Sequence, residues 1–219
     1  MARLPRRRSD SRPPGTPAAP GREPEEATSA PRIIGGDLRR RRLAHQPDGR
    51  TRPMKDRVRE ALFDLLGVTV RGGLALDLFA GTGALGFEAL SRGATRAVFV
   101  ERHFPTADTL RKSAGELGVA DRCDVRSGDV LLWARRMPDL PTSARWVAFV
   151  SPPWAFFAAD HERRAELLAL IDALRGAAPP GSTIVVEADT AFDATALPDA
   201  SAWTTRSIPP AVLHFLEIG

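Results

Sequence analysis

Residues 74–86 read LALDLFAGTGALG: an apolar run, a glycine turn and the beginning of an amphipathic run. That order describes a strand passing into a helix, with Gly81, Gly83 and Gly86 where the backbone could approach a ligand closely. Such turns serve nicotinamide, flavin and nucleotide sites alike. The discriminating residue is Asp77, an acid at the strand end ahead of the glycines. A carboxylate there repels a pyrophosphate and suits a ligand carrying a positively charged amino group, such as the methionine moiety of S-adenosyl-L-methionine. The plainer reading is an ordinary turn in which Asp77 is a local cap.

On either side of this segment the pattern alternates between strand and helix. Strands are expected near 74–79, 96–101, 123–127, 146–150 and 182–188, and helices near 84–92, 105–117, 130–136 and 161–175, which together make a doubly wound, mostly parallel α/β sheet. Residues 203–208 and 212–218 read as two further strands around Pro209-Pro210, and so short a connection forces an antiparallel pair. Upstream, Pro53 suits the first turn of a helix whose Val58, Ala61, Leu62, Leu65 and Leu66 recur at three-to-four spacing and should pack on the main domain. Ile33-Ile34, the turn Gly35-Gly36 and the run Arg39 to Leu43 read as a short hairpin with an arginine face. Residues 1–30, rich in Pro, Arg, Ser, Ala and Gly, cannot bury enough surface to offset the entropy of ordering and are expected to be disordered. Three regions follow: a tail over 1–30, a basic extension over 31–70 and an α/β domain over 71–219.

The 219 residues suffice for one α/β domain with an appendage. The single cysteine excludes an internal disulfide, and four scattered histidines show no metal-ligand spacing, so no metal is expected. No apolar run approaches the roughly 20 residues that span a bilayer, and the arginine-rich start leads into prolines rather than a signal core. The chain therefore reads as a soluble cytoplasmic protein with no membrane partner. Its charge is segregated: residues 1–60 carry 16 Lys+Arg against 8 Asp+Glu, and residues 61–219 carry 15 against 19. A basic front end on a mildly acidic domain points to a polyanionic substrate. The residues placed to grip it are Arg32, Arg39, Arg40, Arg41, Arg42, Arg52, Lys55 and Arg57, with Arg59 nearby on the same helix; a solvated tail and a purely structural helix are the plainer readings.

Two more acids fall at successive strand ends. Glu101 closes the second strand, where a carboxylate can accept ribose hydroxyls, and Asp129 follows the third in SGD, where it could accept an adenine amino group. With the flanking Phe79, Ala80, Thr82, Arg102 and Gly128, these acids and glycines form the candidate cofactor set. One acid at a strand end is commonly a helix cap; three at consecutive strand ends are harder to assign that way. Ser151-Pro152-Pro153-Trp154 follows the fourth strand beside the same crevice. An exocyclic base amine is a poor nucleophile, because its lone pair is delocalised into the ring. Acceptors aimed at its N–H bonds help it react: a side-chain oxygen at 151 and the Pro152 carbonyl, fixed by consecutive prolines, would serve. Trp154 would stack on the base.

The segments RIIGG (32–36), the arginine run to Leu43, TRP (51–53), DRVREALF (56–63), DLFAGTGALG (77–86) and EALSRG (88–93) resemble the bacterial small-subunit (16S) ribosomal RNA guanine N2-methyltransferases of the RsmD type, closely over 32–154 and by pattern beyond. The resemblance implies a Rossmann-like, S-adenosyl-L-methionine-dependent enzyme that methylates a guanine amine of ribosomal RNA, acting on the RNA or the small ribosomal subunit, and a monomer is expected. It assigns Ser151, Pro152, Pro153 and Trp154 as the catalytic motif. The family pattern at this place is Asp-Pro-Pro followed by Tyr or Phe, so Ser151 removes a charged acceptor; SPPW is also similar to the motif of cap trimethylguanosine synthases, which methylate the same nitrogen. The competing readings are methylation of an amine on another RNA or DNA base, and a catalytically weakened RNA-binding assembly factor.

Overall fold

The computed structural model describes residues 30–45, 54–135 and 140–219. Seven strands form one sheet: β1 (Leu74–Asp77), β2 (Arg96–Glu101), β3 (Cys123–Ser127), β4 (Trp146–Val150), β5 (Thr183–Asp189), β6 (Thr204–Ile208) and β7 (Ala211–Glu217). Their order is β3-β2-β1-β4-β5-β7-β6. The first five pair in parallel, while β7 lies antiparallel between β5 and β6. The expected α/β fold with an antiparallel end is therefore the observed one.

Helices cover both faces. The α1 (Asp56–Leu66), α2 (Ala84–Ser91) and α3 (Phe104–Leu117) helices contribute to one apolar layer, and α4 (Val130–Ala134) and α5 (Arg164–Ala177) to the other. With both faces buried, the central strands read as continuous apolar runs, and every residue of β1 and of β4 is buried. The edge strand β6, TTRSI, is polar and largely exposed, which discourages pairing with another chain. Strand order reverses between β1 and β4, the switch point at which open α/β sheets bind ligands beyond their carboxyl ends.

The extension differs from the expected hairpin. Its two arms share a single bridge, Arg32 to Arg42, with bonds from the Ile33 N–H to the Arg41 carbonyl (2.9 Å) and from the Arg40 N–H to the Ile33 carbonyl (2.8 Å). Its stability comes instead from docking on α2. Glu88 accepts the N–H groups of Ile34 (2.8 Å) and Gly35 (2.7 Å), and Ser91 Oγ accepts that of Leu38 (2.9 Å). Gly36 is the contact point: at φ +73°, a Cβ there would lie 1.9 Å from the Ser91 carbonyl oxygen.

The inward face of α1 also departs from the expected stripe. Val58, Leu62, Phe63 and Leu66 are buried as the helix packs on the sheet, but Leu65 is 49 % exposed and Ala61 only half-buried. Arg59, read as a phosphate-facing residue, is fully buried: its guanidinium reaches the carbonyls of Arg32 (2.7 Å) and Met54 (3.2 Å) and pairs with Asp56 (2.8 Å) and Glu88 (3.8 Å). The helix has a second neighbour, the extension, which the apolar periodicity does not register. Residues 1–29, Arg52 and Pro53 lie outside the described residues, with the expectations placed on them.

Candidate active site

A cleft of about 650 Å³ opens at the switch point and collects the ends of β1 to β5. Its lining includes Asp77, Phe79, Ala80, Gly81, Thr82, Glu101, Arg102, Gly128 and Asp129 together with Ser151, Pro152, Pro153 and Trp154. Lys55 lines it as well, from the residue that precedes α1, which ties the extension to the mouth of the site.

Each acid is held by backbone donors of the turn beside it. Asp77 is 2 % exposed, and its Oδ2 accepts the Gly86 N–H at 2.9 Å. Burial pushes its pKa from 3.8 to about 7, the Gly86 hydrogen bond works against that shift, and the nearby Glu101 charge adds to it. Among the described residues no cation pairs with this buried carboxylate. Glu101 accepts the Gly81 N–H on Oε2 and the His103 N–H on Oε1, both at 2.8 Å, so it fixes the glycine turn while presenting its remaining lone pairs to the cleft. Asp129 is the helix cap that its position allowed, and it holds an ion pair besides. Its Oδ1 caps α4 through the Leu131 N–H at 2.9 Å, and Oδ2 pairs with Arg163 at 2.6 Å. An adenine amine at this corner would share that oxygen with Arg163.

Two of the turn glycines serve packing rather than ligand approach. Gly83, at φ +75°, stands outside the cleft lining, and a Cβ on it would meet Leu110 at 2.4 Å; one on Gly86 would meet the Phe99 ring at 2.3 Å. They let α2 lie close to α3 and β2.

At the other end of the cleft, Pro153 begins a short 3-10 helix (Trp154–Phe157) and its carbonyl accepts the Phe156 N–H at 2.9 Å. Trp154 is half-buried. Phe156 makes an edge contact with Phe79 (6.4 Å between centroids) and lies under the Arg163 guanidinium at 5.5 Å, so an aromatic shelf joins the motif to the turn that follows β1. Ser151 Oγ donates a hydrogen bond to Oε2 of Glu187, a β5 residue only 8 % exposed that also lines the cleft. Burial raises the Glu187 pKa, and the Ser151 hydrogen bond partly offsets this.

Glu187 and Arg163 are the residues that the sequence reading passed over. Glu187 had a signal: STIVVEA places an acid near the carboxyl end of an otherwise apolar strand, as LALD does. Arg163 had none, since only the folded loop brings it to Asp129.

The arginines of the extension are placed as expected in one respect: Arg32, Arg39, Arg40, Arg41 and Arg42 are exposed, as are Lys55 and Arg57. Arg32 pairs with Asp56 at 3.0 Å, and Arg41 bonds the Glu116 carbonyl. Among the described residues there is no cluster of metal ligands and no helix long and apolar enough to cross a membrane.

Residues 31–208 match the family model described as conserved hypothetical protein 95. A Bacillus subtilis protein named provisionally as the rRNA methyltransferase YlbH is 34 % identical over 141 residues, 64 % of this chain and 73 % of that protein. The Escherichia coli (strain K12) ribosomal RNA small subunit methyltransferase D is 37 % identical over 123 residues, 56 % of this chain, and the match spans 60 % of that protein's length. A solved Escherichia coli structure, named provisionally as the methyltransferase yhhF, superposes with a TM-score of 0.67 at 29 % identity, covering 87 % of this chain and 100 % of that one.

Proposed function

The chain belongs to the conserved hypothetical protein 95 family, and from that premise we propose that it is an S-adenosyl-L-methionine-dependent methyltransferase acting on the N2 amine of a guanine in small-subunit (16S) ribosomal RNA. The observation that carries this reading is one cleft with acids of three strand ends along one side and Ser151-Pro152-Pro153-Trp154 on the other. The relatives named for ribosomal RNA methylation supply the substrate class.

The residues present fit the cofactor. Asp77 is a buried carboxylate in need of a cation and matches the methionine ammonium; Glu101 offers acceptors to ribose hydroxyls; the turn Phe79 to Thr82 lies between them. The bound cofactor supplies an electrophilic methyl group on a sulfonium. The chain's own part is to hold the base amine in line with that methyl, with Ser151 and the Pro152 carbonyl accepting its N–H bonds and Trp154 stacking on the ring.

RNA reaches this cleft along the basic extension, residues 31–70, whose Lys55 lines the mouth. A monomer suffices, since one chain carries both the grip and the cleft. The intact acid set speaks against a non-catalytic assembly factor, because an RNA clamp has no use for it.

Incubation with methyl-labelled S-adenosyl-L-methionine and unmodified small subunits, followed by digestion and mass identification, should yield labelled N2-methylguanosine. Label in another nucleoside would keep the enzyme and discard guanine. Asp77→Ala should abolish both cofactor binding and labelling; retention of both would overturn the site.

A further inference from the structure

Ser151 is a short neutral acceptor at the place where the reaction calls for charge, and its own proton points at a second side chain. We propose that Glu187 is the proton-accepting partner of Ser151, so that the two side chains together do the work of a carboxylate beside Pro152-Pro153-Trp154. This rests on the proposed amine methylation.

Three observations converge on Glu187. Ser151 Oγ donates its hydrogen to Oε2, which leaves the Oγ lone pairs as the part of the hydroxyl that can receive an N–H. Both residues line the cleft that holds the proline motif. Neighbouring strands hold the pair rigidly, because β4 and β5 are hydrogen-bonded in parallel with Val150 opposite Val186, one residue before each member. Burial also raises the Glu187 pKa, which makes its carboxylate a better proton acceptor than an exposed glutamate.

The step balances as a relay. As the amine nitrogen bonds to the methyl carbon, the sulfonium–carbon bond breaks and its electron pair stays on sulfur. The proton shed by nitrogen passes to Ser151 Oγ while the hydroxyl proton passes to Glu187 Oε2. The products are a methylated neutral amine, a neutral thioether and a protonated Glu187, which then loses its proton to water. A serine hydroxyl alone is too weak a base to hold the proton at neutral pH and would leave it to water, whereas Glu187 accepts it within the site. Glu187 acts through Ser151 and is a positioning and proton-accepting residue rather than one that touches the base.

The test compares Glu187→Gln, Ser151→Asp and the double variant with the wild type. Each is assayed for kcat and KM on small ribosomal subunits, for S-adenosylhomocysteine affinity and for melting temperature. Gln keeps the hydrogen bond from Ser151 and removes the charge. Glu187→Gln should lower kcat by about a hundredfold, the usual contribution of a positioned proton acceptor, with KM and S-adenosylhomocysteine affinity within about twofold. Ser151→Asp alone puts two carboxylates in contact and should lose activity, whereas Ser151→Asp added to Glu187→Gln should recover at least about tenfold in kcat, a coupling that independent sites do not show. If Glu187→Gln keeps kcat within about threefold, or loses cofactor affinity and stability together with kcat, or is not rescued by Ser151→Asp, the relay is wrong while the methylation stands. If the wild type labels no base amine, the proposed function fails and the relay with it.

Discussion

Asp77 meets two opposed demands. Its raised pKa, from 3.8 to about 7, means that between those values the folded chain keeps a proton that the unfolded chain releases. The stability this gives is fully present below the unfolded pKa and is lost as pH rises through about 7. Asp77→Asn, which can still accept the Gly86 N–H, should therefore raise the melting temperature of the ligand-free protein at pH 8, with the gain vanishing towards pH 4, as calorimetric scans at both pH values would show. If Asp77 pairs with the ligand ammonium as proposed, the same substitution should weaken S-adenosylhomocysteine binding by about 10- to 100-fold. Wild-type affinity should fall about tenfold per pH unit below the Asp77 pKa, because a proton must leave before the ammonium can pair. Titration calorimetry checks this; a wild-type affinity flat between pH 5 and 7 would place the ammonium elsewhere. This residue was legible in the sequence because position alone marks it, an acid where an apolar strand meets a glycine turn. Glu187 is likewise an acid in an apolar strand, but no glycine turn follows it, its partner Ser151 lies 36 residues away, and only the pairing of β4 with β5 makes them neighbours.

The elements that the sequence made plain are those whose signals are local. The parallel strands are short apolar runs with turn residues between them, and β2, β3 and β4 span the expected residues 96–101, 123–127 and 146–150. The extension was less legible, because what holds it is not its own pairing but Glu88 of α2, more than 50 residues away. One buried carboxylate there serves four groups: the Ile34 and Gly35 N–H groups, Arg92 at 2.8 Å and Arg59 at 3.8 Å. Deleting one partner of a buried ion pair leaves the other charged and unsolvated, and costs about 3–5 kcal/mol. Glu88→Ala should therefore lower stability by that order and release the extension, read as faster amide exchange over residues 33–43. Gly36→Ala should do the same by steric means, since its Cβ would strike the Ser91 carbonyl in a backbone conformation that already disfavours alanine by about 1 kcal/mol. Both variants should weaken RNA binding more than S-adenosylhomocysteine binding. Equal losses would mean that the extension supports the cleft rather than the RNA.

Across the whole molecule, charge and chemistry are divided between the two ends of the chain: residues 1–60 carry a net +8 and residues 61–219 a net −4. The acidic part cannot by itself attract a polyanion, yet its cleft takes a residue from the basic part, Lys55, into its lining. Affinity for RNA should thus depend on the extension and on salt, and turnover on the cleft. Replacing Arg39, Arg40 and Arg42 by Gln removes three exposed charges without touching Arg59 or Glu88, the groups that dock the extension. If each of the three neutralises one phosphate, the slope of log affinity against log salt should become shallower by about 2 to 3, because each phosphate contact contributes about 0.7 to 0.9 through counterion release. Fluorescence anisotropy with labelled RNA over a range of salt concentrations measures that slope. S-adenosylhomocysteine affinity and melting temperature should stay as in the wild type, since none of the three arginines lines the cleft. An unchanged slope would show that RNA approaches over another surface, and the charge asymmetry would then reflect solvation of the amino-terminal segment rather than recognition.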